Sequence, residues 1–187
     1  MKLLLHTCCA PCLVYPLKEI RESEMDADLF YFNPNIHPIP EYVRRRDTLT
    51  EYAKSNQLKV IFSDADGAEF EEERRQAENT WKNYDTDERC AMCYRTRLEK
   101  TAAYASQNGY DAFSTTLLVS IYQNHELIIR ICEELSREYQ VSFFYRDFRP
   151  GFREGQKEAK EMGLYRQKYC GCICSLRSSA AVSRSGI

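Results

Sequence analysis

No stretch of this 187-residue chain approaches the roughly 18 consecutive apolar residues that would span a membrane. The apolar start, Met1 to Leu5, ends at His6, short of the about 7 to 15 residues of a secretory h-region. The expectation is a soluble, cytoplasmic protein with no membrane partner. There is no excess of positive charge either: the formal net charge is −2, which argues against nucleic-acid binding driven only by phosphate neutralisation. Internal repeats and low-complexity tracts are missing, apart from a Ser- and Ala-rich tail with Arg from Ser175 to Ile187. The length suits one domain, 1–187, whose last stretch, about 176–187, is expected to be loosely held.

What the chain does hold is thiol. Nine cysteines in a reducing compartment are unlikely material for a disulfide framework, and point instead to metal binding or catalysis. Eight of them fall in three groups: Cys8, Cys9 and Cys12; Cys90 and Cys93; Cys170, Cys172 and Cys174. The ninth, Cys132, lies on the apolar stripe Ile128, Ile131, Cys132, Leu135 and reads as a small core residue.

Short apolar runs alternate with helical patterns. Strands are expected at Leu3–His6, Leu29–Phe32, Lys59–Phe62, Ala112–Thr116 and Val141–Tyr145. Helices are expected around Leu13–Ile20, Glu41–Ser55, Glu69–Tyr84, Arg89–Asn108, His125–Tyr139 and Arg153–Met162, with Gly109 and Gly163 as C-terminal stops. This alternation predicts an α/β fold: an open, mostly parallel sheet with helices on both faces. Ligands of such sheets gather beyond the carboxyl ends of the strands, where the first loop carries Cys8, Cys9 and Cys12.

Cys90-Ala-Met-Cys93 has the two-residue spacing by which successive thiolates reach one metal centre. With Cys8 and Cys9 it makes four thiolates, enough for an iron–sulfur cluster or a structural zinc. The thiols left over favour redox work, hence iron–sulfur. Cys170-Gly171-Cys172 reads equally as a strained, reducible redox pair or as further metal ligands. His6, His37 and His125 could ligate or move protons, though isolated histidines more often serve as hydrogen-bonded scaffold. The arginine-rich patches Arg44-Arg45-Arg46, Arg74-Arg75, Arg95 with Arg97, and Arg146, Arg149, Arg153, Arg166 with Lys168 read first as solvated helix faces.

Seven ordered motifs, "HTCCAPC" from His6, "YFNPNIHP" from Tyr31, "EYVRRR" from Glu41, "RCAMCYRTRL" from Arg89, "FSTTLLVSIYQ" from Phe113, "DFRPG" from Asp147 and "YRQKYCGCICS" from Tyr165, resemble the QueH type of epoxyqueuosine reductase over nearly the whole chain. The resemblance implies a Rossmann-like sheet of adenine-nucleotide-hydrolase-like topology. It also implies an oxidoreductase that removes the epoxide oxygen from epoxyqueuosine at the wobble position of tRNA, in the last step of queuosine synthesis. It places a [4Fe-4S] cluster on Cys8, Cys9, Cys90 and Cys93, an additional iron beside it at Cys12, and a redox-active pair at Cys170 and Cys172. Cys174 stands where an aromatic residue is common in the family, and no role is carried onto it.

An anticodon-loop substrate would be splayed out and stacked on aromatic rings. Asn33, His37, Arg45, Tyr94 and Tyr122 are the expected substrate-binding residues, with Tyr31 and Tyr169 as further stacking surfaces. Asp147, His37 or a tyrosine would supply the proton. The expected partners are tRNA and an electron donor, and the expected state is a monomer. The rivals are an iron–sulfur tRNA sulfur transferase, whose Ser-Gly-Gly-x-Asp-Ser phosphate cradle is missing after the first strand, and a zinc-stabilised RNA-binding module.

Overall fold

The computed structural model describes residues 1–63, 72, 74, 75 and 86–176. Leu3, Leu4 and Leu5 have no solvent exposure, the mark of a strand buried on both faces, and they form the centre of β1 (Lys2–His6). On one side β1 pairs with β2 (Asp26–Tyr31), which pairs with β3 (Val60–Phe62); on the other it pairs with β4 (Ala112–Thr115), which pairs with β5 (Ser142–Phe143). Every pairing is parallel and the strand order is β3-β2-β1-β4-β5. Residue registers such as Leu5 with Leu29 and Leu5 with Ser114 carry the central ladder.

Parallel neighbours require crossovers, and helices provide them. They are α1 (Ala10–Glu22), α2 (Ile39–Ser55), α3 (Thr86–Gln107), α4 (His125–Tyr139) and α5 (Phe152–Glu161). Helix α1 packs against α2 and α5, and α3 packs against α4. Right-handed crossovers put these two groups on opposite faces of the sheet. The predicted α/β layering is therefore observed.

The ends of the elements follow local chemistry. Asn124 caps α4 by accepting a hydrogen bond from the Leu127 N–H at 3.1 Å. Gly109 and Gly163, expected as helix stops, adopt the left-handed φ values of 69° and 70°. Thr116–Val119 forms a short 3₁₀ turn directly after β4 that apolar periodicity did not suggest; the Thr115 hydroxyl caps it by accepting from the Leu117 N–H. Strand β5 is shorter than the predicted Val141–Tyr145. The expected helix 69–84 lies outside the described residues except at 72, 74 and 75, which are helical, and 177–187 of the expected tail lie outside as well. Among the described residues no helix is long and apolar enough to cross a membrane.

Sheet and helices meet in one apolar core. Cys132 sits fully buried within it, as its place on the α4 stripe predicts, and burial pushes its thiol well above the ordinary range. Leu4→Ala opens a cavity at the centre of the sheet, and we expect it to cost about 2–5 kcal/mol, read as a lowered urea midpoint with unchanged slope.

Candidate metal centre

The strand order reverses beside β1: the chain steps outward to β2 and β3, then returns to lay β4 on the other side. Open α/β sheets form their crevice at such a switch point, beyond the carboxyl ends of the strands. Thr7, Cys8 and Cys9 leave β1 there, and Thr116 leaves β4 opposite them. The Cys8 N–H donates to the Thr116 hydroxyl at 3.3 Å, and the Cys8 sulfur lies 3.5 Å from the same oxygen. Underneath, His6 is fully buried, with Nδ1 2.9 Å from the Thr115 hydroxyl and Nε2 3.3 Å from the Phe32 carbonyl. Burial, reinforced by the Arg97 charge, lowers its pKa to about 4, so it is a neutral scaffold residue.

Cys9 is the N-cap of α1, in extended conformation and without a side-chain bond to the helix, and Cys12 lies in the first turn. The sulfurs of Cys8, Cys9 and Cys12 all lie within 4.8 Å of one another and are buried. Those of Cys8 and Cys9 are 3.8 Å apart. The positive end of α1 favours thiolate here. Hydrogen bonding from the Cys12 and Cys9 thiols draws Cys8 well below the ordinary thiol range. Cys9 is raised, chiefly by burial, and Cys12 is raised by its hydrogen bonds to Cys8 and Cys9. Three buried thiols sharing one negative charge at a helix N-terminus are a donor set suited to a thiophilic metal.

Cys90 and Cys93 stand outside this compact group, on the first turns of α3. What joins the two sets is Arg97, one turn further along α3, buried to 3% exposure, whose Nε–H donates to the Cys93 carbonyl at 3.0 Å. Burial opposes its charge, and the ionisable groups around it, Cys93, Cys8, Tyr94 and Cys170, outweigh that and keep its guanidinium protonated; of these Cys8 is the one whose own pKa is drawn down. A second buried cation, Arg45, with 1% exposure, faces Cys9 and Cys8 from α2. It bonds Glu41 through Nε at 2.8 Å, the Cys170 carbonyl at 3.2 Å and the Tyr169 carbonyl at 3.0 Å. Neither arginine lies on a solvated face, contrary to the first reading of the charge clusters.

Residues 164–172 form an irregular strap over the centre, bent at 168–169 and 171–172, whose side chains alternate between half-buried and exposed from 165 to 170. Tyr165, Gln167 and Tyr169 turn inward: Tyr165 donates to Glu41 Oε2 at 2.6 Å, Gln167 Nε2 donates to the Cys9 sulfur at 2.9 Å and the Cys12 sulfur at 3.6 Å, and Tyr169 donates to the His37 carbonyl. Arg166 and Lys168 turn outward to solvent. Gly171 is forced by its surroundings: its φ is 120°, and a Cβ there would meet Ile36 Cγ1 at 3.0 Å and Arg45 Nη1 at 3.1 Å. Its carbonyl accepts the His37 N–H at 2.8 Å. Gln167 was missed as a site residue, although the Tyr-x-Gln-x-Tyr alternation signals an extended segment with one face turned inward.

The strap ends at the thiol pair. The sulfurs of Cys170 and Cys172 are 3.6 Å apart, and the Ser175 N–H and hydroxyl approach Cys172 at 3.3 and 3.4 Å. Donation from the Cys170 thiol, then from Ser175, lowers the Cys172 pKa to about 5, while Cys170 rises above the ordinary range because it keeps its proton in that hydrogen bond to Cys172. The charge of Cys172 is felt in turn at Cys90 and Cys93.

Of the expected substrate-binding residues, Asn33 and Tyr94 are buried and serve neighbours, the former donating to the Thr7 carbonyl at 3.0 Å, the latter to Gln123 Oε1 at 2.6 Å. His37 is buried against the strap, with Nδ1 3.3 Å from Arg74 Nη2, and Tyr31 is core. Tyr122 is 80% exposed, its ring edge-on to Phe152. Asp147 is held as a carboxylate, with a pKa of about 2, by its hydrogen bonds from Arg149; this leaves it without a proton to give near neutral pH.

A protein-family model described as epoxyqueuosine reductase QueH matches residues 3–178. The chain belongs to the QueH family. Relatives named epoxyqueuosine reductase QueH include those of Thermotoga maritima, 38% identical over 92% of this chain and 89% of that protein, and Dehalococcoides mccartyi, 36% identical over 93% and 92%. The Acinetobacter baylyi relative of the same name is 34% identical over 95% and 82%. Among solved structures, a predicted subunit of tRNA methyltransferase from Methanocaldococcus jannaschii superposes with a TM-score of 0.52 over 85% of this chain and 75% of that one, at 16% identity. That similarity is one of fold.

Two outcomes are expected from this geometry. Gly171→Ala should cost about 1–3 kcal/mol through its positive φ and speed alkylation of the buried Cys9 in metal-free protein as the strap lifts, measured by denaturation and peptide mass spectrometry. In metal-free reduced protein, alkylation of Cys172 should hold its plateau above pH of about 5 and fall below it as the thiolate takes up its proton.

Proposed function

We propose that the protein is an epoxyqueuosine reductase: an oxidoreductase that removes the epoxide oxygen of epoxyqueuosine in the anticodon loop of tRNA. The observation that carries this reading is family membership across residues 3–178, with relatives of that name matched over most of their length. The thiol-lined crevice supports it, because deoxygenation needs electrons and a site where the oxygen can leave.

The donor chemistry fits an iron–sulfur group. The thiols are buried, α1 offers its positive end, and Arg45 and Arg97 supply two buried positive charges against an anionic centre. Cys8, Cys9, Cys90 and Cys93 would hold a [4Fe-4S] cluster, and Cys12 an additional iron. When bound, such a group supplies single electrons and Lewis acidity toward the departing oxygen.

The reaction consumes two electrons and two protons, and releases an alkene and water. The Cys170–Cys172 dithiol stores both: its oxidation to the disulfide yields two electrons and two protons, and an external donor restores it. Arg45 fixes the pair by binding the backbone on either side of the Tyr169–Cys170 peptide. Exposed Tyr122 is the ring available to stack on an extruded base, and Arg166 and Lys168 face the solvent from which the phosphates approach.

A second reading has one observation in its favour. Sulfurs 3.8 Å apart match the edge of a tetrahedron around one ion with bonds of about 2.3 Å, the geometry of zinc. Metal analysis after anaerobic purification separates the two: visible absorption bleached by dithionite, with iron, supports the cluster, and colourless protein with stoichiometric zinc overturns it.

Reduced protein incubated with tRNA carrying epoxyqueuosine should yield a nucleoside lighter by one oxygen, read by mass spectrometry. We expect Cys9→Ala to lose iron and activity together, and Cys172→Ala to keep its colour but lose turnover by at least about tenfold, a barrier increase of about 1.4 kcal/mol. Intact oxygen after incubation with iron-replete wild-type protein and a competent reductant would refute the assignment.

A further inference from the structure

The strap brings one neutral side chain into contact with the thiol group. The amide nitrogen of Gln167 lies 2.9 Å from the Cys9 sulfur and 3.6 Å from that of Cys12. Its Oε1 is buried and has no hydrogen-bond partner among the described residues. A thiolate bound to a metal can only accept hydrogen bonds, so it selects the orientation that turns the NH₂ group to sulfur. The position of the amide is set on both sides. Tyr165 is tied to Glu41 and Tyr169 to the His37 carbonyl, while Arg45 holds the Tyr169 and Cys170 carbonyls.

Hydrogen bonds to cysteine sulfur are among the factors that set the reduction potential of an iron–sulfur centre. They draw electron density from the ligand and stabilise the more negative, reduced state. We infer that Gln167 is a positioning residue for electron transfer: its N–H···S bonds to Cys9 and Cys12 raise the reduction potential of the centre these thiols hold. The inference rests on the iron–sulfur reading above.

The strap also joins this amide to the thiol pair. Gln167 is three residues from Cys170, on a segment whose course is set by the Gly171 turn and the Arg45 tether. Oxidation of Cys170 and Cys172 must bring their sulfurs from 3.6 Å to bonding distance, on the same tethered segment that carries the inward amide.

The test is a dye-mediated redox titration of the anaerobically purified holoprotein, followed by visible absorption. Gln167→Leu removes both donors and should shift the midpoint to a more negative potential. At a fixed poise the reduced-to-oxidised ratio should fall about tenfold, about 59 mV for a one-electron couple. Gln167→Glu, near-isosteric, places an acceptor against sulfur and should shift it in the same direction by at least as much. If Gln167→Leu loses iron, Gln167→Glu decides by the same titration. A midpoint unchanged from wild type in an iron-replete variant overturns the inference while leaving the cluster reading intact. Wild-type protein that carries no iron overturns both, and the two failures are told apart by the metal content.

Discussion

The arrangement of the centre depends on one buried guanidinium. Arg45 cannot leave its charge uncompensated inside the protein, and it satisfies its donors with the Glu41 carboxylate and the Tyr169 and Cys170 carbonyls. Each of those bonds pins a different part of the site. Glu41 in turn accepts from Tyr165, so helix α2 and both ends of the strap are tied to the same ion pair. With its remaining face Arg45 looks toward Cys9 and Cys8, and the one negative charge that these thiols share with Cys12 helps hold it protonated. A single cation thus fixes the backbone beside the thiol pair and conditions the electrostatics of the thiol group.

Arg97 plays the matching part from the opposite face of the sheet. Its charge lies among Cys93, Cys8 and Cys170, one residue from each of the three cysteine groups. That arrangement explains how thiols far apart in sequence belong to one electrostatic unit even though only Cys8, Cys9 and Cys12 form a compact set among the described residues. Two cations buried beside many thiols offset part of the desolvation that burial imposes on a thiolate there.

Much of this was legible in the residues themselves. The uninterrupted Leu3-Leu4-Leu5 run announces a central parallel strand, and the cysteines directly after it fall at the crevice that such sheets form. The stripe through Cys132 is a core stripe because its period matches a helix. Other features left no clear mark. Arg45 and Arg97 look like surface charges until their (i, i+4) relations to Glu41 and to the Cys93 carbonyl are known. Tyr94 carries aromatic character that suits either stacking or packing, and nothing in the residues themselves signals that it is buried, with its hydroxyl accepting the Asn124 N–H. The strap has no apolar periodicity at all, since polar side chains on its inner face do the binding, and Gln167 is invisible to any search for metal or acid–base residues.

The strap has two faces, and they address different partners. Inward, Gln167 touches sulfur; outward, on the residues immediately beside it, Arg166 and Lys168 are presented to solvent. Because alternate side chains of an extended segment share one backbone, a polyanion that grips the outer pair pulls on the same few peptide units that seat the inner amide. The outer charges and the inner amide thus share one short run of peptide units, so a displacement of one face of the strap is carried to the other.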